Sequence, residues 1–125
     1  MADREWGIEV DKLDSTLKSI QAVLNIVQLE KDAITLEAEA SAPNLWDDPE
    51  KAQVVTSKLS RVQATLNKLK SIRGRLDDIP VLVELAQSEN DSAALKDAGN
   101  ELDSITTDID ELEVQTLLNG EYDER

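Results

Sequence analysis

Residues 49–88 read PEKAQVVTSKLSRVQATLNKLKSIRGRLDDIPVLVELAQS, and an apolar side chain recurs every three or four positions along them. This spacing lines one face of an α-helix with apolar groups. It therefore predicts a helix over residues 49–88, which would be about 60 Å long. The apolar face consists of Ala52, Val55, Leu59, Val62, Leu66, Leu69, Ile72, Leu76, Ile79, Val83 and Ala86.

The residues before this helix mark where it begins. Asp48 can cap a helix, Pro49 suits the first helical position, and Glu50 is favoured at the positive end of the helix dipole. Pro43 cannot lie in a helix interior, so residues 41–48 are predicted to form a connection.

A kink is predicted near residues 73–80 of the same helix. Between Leu66 and Ile72 the apolar spacing takes two successive steps of three, which overwinds a coiled coil locally. Gly74 lies just beyond this point, and Pro80 lacks the backbone donor that a helix interior needs.

The C-terminal third carries a second long apolar pattern. Residues 91–118 show a heptad repeat in which only Thr116 is polar, and this predicts another helix. Asn119–Gly120 follows as the expected stop signal, because glycine readily takes the left-handed conformation that ends a helix.

The N-terminal third is also helical in pattern, over about residues 8–41. Two apolar seams follow one another, the first from Val10 to Val27 and the second from Ile26 to Ala40. One straight helix cannot turn both seams toward one partner, so a break is expected near residues 24–29. The break is either a bend or a joint between two helices.

These segments predict an all-α fold, since no sustained alternation or hairpin signal indicates strands. The helices over 49–88 and 91–118 should fold back as a long antiparallel coiled-coil-like pair. With the N-terminal segments packed along this pair, residues 1–125 are expected to form one domain, an elongated helical bundle.

Composition excludes most catalytic chemistry. The chain has 27 acidic and 13 basic side chains, a net charge of -14, and neither His nor Cys. Nucleophilic Ser-His or Cys-His pairs and Cys/His zinc sites therefore cannot form, and no glycine-rich phosphate loop is present. The densest acidic group comprises Asp108, Asp110, Glu111 and Glu113. We interpret it as a solvated helix face, because the loop that an EF-hand requires is absent from the sequence around it. We expect no enzyme activity, cofactor, metal or small-molecule substrate.

Localisation follows from the same composition. No apolar run approaches the roughly 18 residues of a membrane span, and the acidic N-terminus is unlike a signal peptide. A cytoplasmic protein without membrane contact is expected.

Two local features stand out against this background. Residues 51–75 carry a charge of +7 without any acid, against −8 for residues 1–50 and −13 for residues 76–125. Trp46, one of only two tryptophans, lies just before the predicted cap. It is interpreted either as an aromatic plug that closes one end of the helix pair or as an anchor for a partner.

Two segments resemble class I bacterial peptide chain release factors. NLWDDPEKAQ at residues 44–53 is similar to a stretch near the start of these factors, and LLNGEYD at residues 117–123 is similar to the end of their N-terminal helical domain. Glu84-Leu85-Ala86 matches a shorter run between them. Residues 120–123 favour the branch that serves UGA and UAA. Two departures are Pro80, where members usually continue in helix, and the lack of acids in residues 51–75.

The resemblance implies a translation termination factor of which this chain is the N-terminal domain alone. In the family, a Ser-Pro-Phe motif reads the codon and a Gly-Gly-Gln motif triggers hydrolysis of peptidyl-tRNA. Neither motif occurs here. The domain lies near the base of the ribosomal stalk in the family, so the expected partners are ribosomal RNA and protein. A free-standing acidic coiled-coil adaptor or spacer that binds another protein is the alternative.

The basic segment leaves two interpretations open. In one, its positive face lies against the acidic helix of residues 91–118 and fixes the pairing of the two helices. In the other, part of the face points outward and contacts ribosomal RNA. The candidate contact residues are Lys68, Lys70, Arg73 and Arg75, which span about two helical turns and so cannot all face one partner helix.

Overall fold

The computed structural model describes the backbone of residues 4–122 and the side chains of residues 4–118. Four α-helices follow one another, and a short 3-10 helix over Leu45–Asp47 separates the second from the third. The helices are α1 (Trp6–Leu24), α2 (Ile26–Ala40), α3 (Pro49–Ser88) and α4 (Ser92–Tyr122). Within the described residues no strand occurs, and the expected all-α helical bundle is confirmed.

The break in the N-terminal stretch is a joint between two helices. Asn25, between α1 and α2, has a φ of 55° in the left-handed region, which no helix interior accommodates. Its side-chain oxygen accepts a hydrogen bond from the backbone N–H of Gln28 at 3.4 Å and so caps α2. The first seam, up to Leu24, therefore belongs to α1, and the second belongs to α2. Val27, the predicted end of the first seam, instead lies in α2 and is exposed.

Helix α3 begins where its cap residues predict. The Asp48 carboxylate accepts a hydrogen bond from the backbone N–H of Lys51 at 3.2 Å, and Pro49 is the first helical residue. The helix is then continuous to Ser88, through both Gly74 and Pro80. The kink near residues 73–80 stays a prediction.

A three-residue turn joins α3 to α4. Asn90 takes a left-handed φ of 54°, and Asp91 accepts a hydrogen bond from the backbone N–H of Ala94 at 2.9 Å. At the other end, α4 continues through Asn119 and Gly120 to Tyr122, so the expected stop at those two residues is wrong. A glycine weakens a helix interior by only about 1 kcal/mol, and it ends a helix when its φ is positive, which no described glycine shows.

Asp123, the last residue of the resemblance, lies outside the described residues, as do the two residues after it.

The described contacts divide the chain into two compact units. Unit 1 comprises residues 1–23 and 71–125, and unit 2 comprises residues 24–70. The arrangement of residues 1–125 as a single domain stays a prediction.

In unit 1, α1, the second half of α3, and α4 bury the apolar seams that their spacing indicates. Thr116 is 4 % exposed and is the one polar side chain among the buried residues of the described chain. The buried apolar side chains of this unit are Leu13, Leu17, Ile20, Ile72, Leu76, Ile79, Val83, Ala86, Ala98, Leu102, Ile105, Ile109 and Leu112.

In unit 2, α2 packs against the first half of α3 through a smaller core. Leu45, Ala52 and Val55 are buried, and Leu36, Ala40 and Ala42 are partly buried against them. No residue of α2 is fully buried. The seam predicted from Ile26 to Ala40 is therefore only half covered.

Candidate functional site

Arg73 ties α3 to α1 within unit 1. Its Nη1 donates a hydrogen bond to Asp14 of α1 and a longer one, 3.4 Å, to Asp77 of α3. Lys18 also lies 3.1 Å from the Asp14 carboxylate. Hydrogen bonds from Arg73, which has the larger effect, and from Lys18 hold the pKa of Asp14 below its ordinary value. Asp14 is thus a carboxylate with two cationic partners.

Arg75 ties α3 to α4 in the same unit. Its Nε donates to Glu101 at 2.8 Å, its Nη1 donates to Asp108 at 2.8 Å, and its Nη2 donates to the Ser104 hydroxyl at 3.1 Å. The pKa of Arg75 is raised, chiefly by the hydrogen bonds to Glu101 and then Asp108. The interpretation that the basic segment pairs with the acidic helix therefore holds for Arg75, but Arg73 pairs with α1.

Arg4 forms a third cluster, which the sequence did not indicate. Its guanidinium donates to Glu9, to Asp103 at 2.9 Å and to the backbone carbonyl of Gly99 at 3.0 Å. It also lies 5.0 Å from the ring centroid of Trp6, in a cation–π arrangement. Its hydrogen bonds lower the pKa of Glu9. No local motif relates Arg4 to α4, 95 residues away, so sequence reasoning had no signal for it.

The remaining cations of the basic segment differ from these arginines. They are exposed, and they form no ion pair with any residue of the described chain. Two of the four candidate contact residues, Lys68 and Lys70, belong to this exposed group, whereas Arg73 and Arg75 do not. The structure therefore divides the candidate set. The exposed cations are Lys51, Lys58, Arg61, Lys68 and Lys70.

Unit 2 places part of this group beside a groove of about 450 Å³ between α2 and α3. Lys58 and Arg61 line it from α3, and Asp32 and Glu39 line it from α2. Neither cation is within ion-pair distance of either acid. The groove keeps Lys58 and Arg61 open to solvent.

Trp46 does not close the end of the helix pair as a plug. Its side chain is 63 % exposed, whereas the neighbouring Leu45 is 6 % exposed and packs against Ala52 and Val55. The turn of 3-10 helix points Leu45 inward and leaves the larger ring outside. The plug interpretation is therefore wrong, because the aliphatic residue fills the small core.

The acidic group on α4 is partly accounted for. Asp108 binds Arg75, and Asp110, Glu111 and Glu113 are exposed. Across the described residues, no set of three or more carboxylates is arranged to hold a metal ion. None of the helices in the same part of the chain is long and apolar enough to span a membrane.

Comparison with known proteins relates this arrangement to one family. The PCRF domain matches residues 29–125. Over all 125 residues the chain is 50 % identical to peptide chain release factor 2 of Streptomyces avermitilis and 49 % identical to that of Salinispora tropica. It is 52 % identical over 116 residues, 93 % of the chain, to peptide chain release factor 2 of Corynebacterium diphtheriae.

The chain spans about one third of the length of these relatives, namely 34 % of the first two and 31 % of the third. The match to the PCRF domain nevertheless covers most of the chain, including α3 and α4 in full. The chain therefore belongs to the PCRF domain family.

Proposed function

We propose that this chain is the ribosome-docking domain of a translation termination factor that directs release at UGA and UAA. The observation that carries the proposal is its similarity, over its whole length, to one third of peptide chain release factor 2. The Ser-Pro-Phe and Gly-Gly-Gln runs that the resemblance links to codon reading and hydrolysis are absent from its sequence. The domain therefore contributes binding rather than chemistry, and it acts through the full-length factor in the cytoplasm.

Docking takes place at the base of the ribosomal stalk, on RNA and protein. Among the four candidate contact residues, Lys68 and Lys70 best support such a role, since both are exposed and have no ion-pair partner in the described chain. Arg73 and Arg75 would first have to leave Asp14 and Glu101. The adaptor alternative has no observation in its favour beyond the helical composition that both hypotheses share.

A chimeric factor tests this proposal. The chain replaces the similar third of Streptomyces avermitilis release factor 2, and peptide release and ribosome binding are measured with UGA and UAA in the decoding site. We expect the chimera to release peptide at both codons. Removing the domain should weaken ribosome binding about tenfold or more, which corresponds to about 1.4 kcal/mol, without changing the ratio of release at the two codons.

Two results would contradict the proposal. One is codon-dependent release by this chain alone, since it would place chemistry in the domain. The other is unchanged ribosome binding after the domain has been removed from the chimera.

A further inference from the structure

We propose that Lys51, Lys58, Arg61 and Lys68 form a continuous phosphate-binding surface, here named the cationic stripe, through which unit 2 contacts RNA. The inference deepens the proposed docking function and rests on it, because it assigns the RNA contact to particular residues of unit 2. Of these four, only Lys68 is among the candidate contact residues that were predicted from the sequence.

Helical geometry places the four side chains on one face. They are separated by seven, three and seven residues, and each residue advances an α-helix by about 100° and 1.5 Å. The four therefore lie within an arc of about 100° and extend over about 26 Å of α3. Lys70 lies on a different face, so it is not part of the cationic stripe.

Around Lys58, Arg61 and Lys68, the positive potential of the cationic stripe is not compensated by acids of α3. Residues 51–75 contain no acid, so no carboxylate lies one turn away from these three cations. Lys51 follows Asp47 and Asp48 by about one turn, but it forms no ion pair with either. Arg73 and Arg75 reach acids on α1 and α4 instead. The four side chains of the cationic stripe are exposed and meet no acid at ion-pair distance in the described residues.

The two flanks of the cationic stripe differ in charge. On one side Lys58 and Arg61 face Asp32 and Glu39 of α2 across the groove. On the other side the surface around Lys58 and Arg61 is formed by Gln53, Val54 and Ser57, with Glu50 at its end. A polyanion can approach from this largely neutral side, whereas the acids of α2 repel it from the other.

This composition fits a nucleic-acid backbone better than a protein partner. Protein interfaces have a desolvated apolar centre enriched in aromatic residues. Between Lys51 and Lys68, by contrast, the one exposed large apolar side chain is Val54, at 55 %. Separate cations spaced along one line match the repeated charges of a phosphate backbone, which supplies most of the affinity in such complexes. In a chain of net charge -14, such a stripe confines RNA contact to one surface.

The first test uses the chimeric factor described above. The stripe variant changes Lys51, Lys58, Arg61 and Lys68 to Gln. The control variant changes Lys12, Lys18, Lys31 and Lys96 to Gln, so the net charge of the two proteins is the same.

Ribosome affinity is measured at several salt concentrations. We expect the stripe variant to bind more than tenfold less tightly at low salt and the magnitude of its salt slope to fall by about 3, since each phosphate contact contributes about 0.7–0.9. The control variant should bind like the unmodified chimera.

The outcomes separate this inference from the proposed function. If removing the whole domain leaves ribosome binding unchanged, the docking function is wrong. If removal weakens binding but the stripe and control variants behave alike, the docking function stands and the cationic stripe is wrong. Weaker binding with an unchanged salt slope would indicate a protein contact and would also overturn the inference. A variant with Lys51, Lys58 and Lys68 changed to Arg keeps the charge, and it must retain both affinity and slope.

A second test locates the RNA directly. The chain has no cysteine, so one can be introduced by Ser57→Cys, beside Lys58, in a chimera whose other cysteines have been replaced. An iron–EDTA group on this cysteine should cleave ribosomal RNA in the bound complex. The same group on a Ser19→Cys variant, at an exposed position of α1, provides the control. Cleavage that is absent from the Ser57 site, or equal from both sites, would overturn the RNA contact.

Discussion

Arg75 Nη1 lies 2.8 Å from the Asp108 carboxylate, while Nε of the same guanidinium lies 2.8 Å from Glu101. The two acids are seven residues apart on α4, which is two turns of one helix face. One arginine of α3 therefore spans two turns of α4. Both ion pairs can form only when the two helices are aligned in this way.

Removing this contact should weaken unit 1 measurably but modestly. Arg75→Gln is expected to lower the free energy of unfolding by about 1 kcal/mol, because partly exposed ion pairs contribute about 0.2–1 kcal/mol each. Urea unfolding measures the effect, and Lys70→Gln, which removes a cation without an ion pair, should leave stability unchanged. A double-mutant cycle with Glu101→Gln should show coupling, and additive effects would contradict the contact.

Asp14 predicts a pH dependence of stability. Its pKa is lowered in the folded chain by Arg73 and Lys18, so it stabilises the fold fully above the pKa of an unfolded aspartate, about 3.9, and this contribution is lost as the pH falls through the folded pKa. Asp14→Asn should therefore be less stable than the unmodified chain at pH 7, and this difference should shrink as the pH falls through the folded pKa of Asp14. Denaturant unfolding at several pH values measures this. Asp110→Asn, which removes an exposed acid without an ion pair, is the control, and an equal effect of pH on both differences would contradict the prediction.

Two glycines should respond differently to alanine. At Gly74 of α3 an added Cβ meets nothing within 4 Å, so Gly74→Ala should raise stability by up to about 1 kcal/mol through helix propensity. At Gly99 of α4 the Cβ would lie 3.0 Å from Nη1 of Arg4 and 3.6 Å from the Trp6 ring.

We therefore expect Gly99→Ala to gain clearly less than Gly74→Ala, since Arg4 must move away. Thermal unfolding of each single variant measures this difference. In an Arg4→Ala background the two substitutions should have similar effects, and a persistent difference there would show that Arg4 is not its cause.

Leu45 and Trp46 provide a test of which residue fills the small core of unit 2. Leu45→Ala should destabilise the chain by about 2 kcal/mol or more, because it opens a cavity at a buried leucine. Trp46→Ala should change stability by no more than about 0.5 kcal/mol, as expected for an exposed side chain. Chemical denaturation of both variants decides between them. A larger loss for Trp46→Ala would restore the plug interpretation.

Pro80 should limit the stability of α3. It lies inside the helix without a backbone N–H to donate to the carbonyl of Leu76, a defect that costs about 3 kcal/mol in a helix interior. Pro80→Ala is expected to raise the free energy of unfolding by about 1–3 kcal/mol. Calorimetry measures the gain. Val81→Ala, at the next exposed position, controls for alanine's own propensity, and an equal gain in both variants would contradict the prediction.

The sequence predicted the apolar seams well because helical periodicity is a local property. Leu102, Ile105 and Ile109 are 0 % exposed, as their heptad spacing indicated. The same locality explains the cap at Asp48. The seam of α2 was less informative, because spacing shows which face is apolar but not how much of it is covered.

The partners of the charged residues could not be predicted in the same way. Arg73 meets Asp14 over 59 residues of sequence, and the choice of α1 rather than α4 depends on how three helices pack. The sequence identified the basic segment as a whole, but the fold was needed to divide it into partly buried arginines that pair with other helices and an exposed stripe. Trp46 was misjudged because aromatic size was taken as a sign of burial, although the adjacent leucine fits the available space.

The short turn between α3 and α4 has a kinetic consequence. The Arg75 contacts close loops of only 26 and 33 residues, whereas the Arg73 contact with Asp14 closes one of 59. Because the entropic cost of closure grows with loop length, the hairpin of α3 and α4 should form before α1 joins it. Asn90 and Asp91, whose own conformations define the turn, would then help to set the rate of folding as well as its outcome.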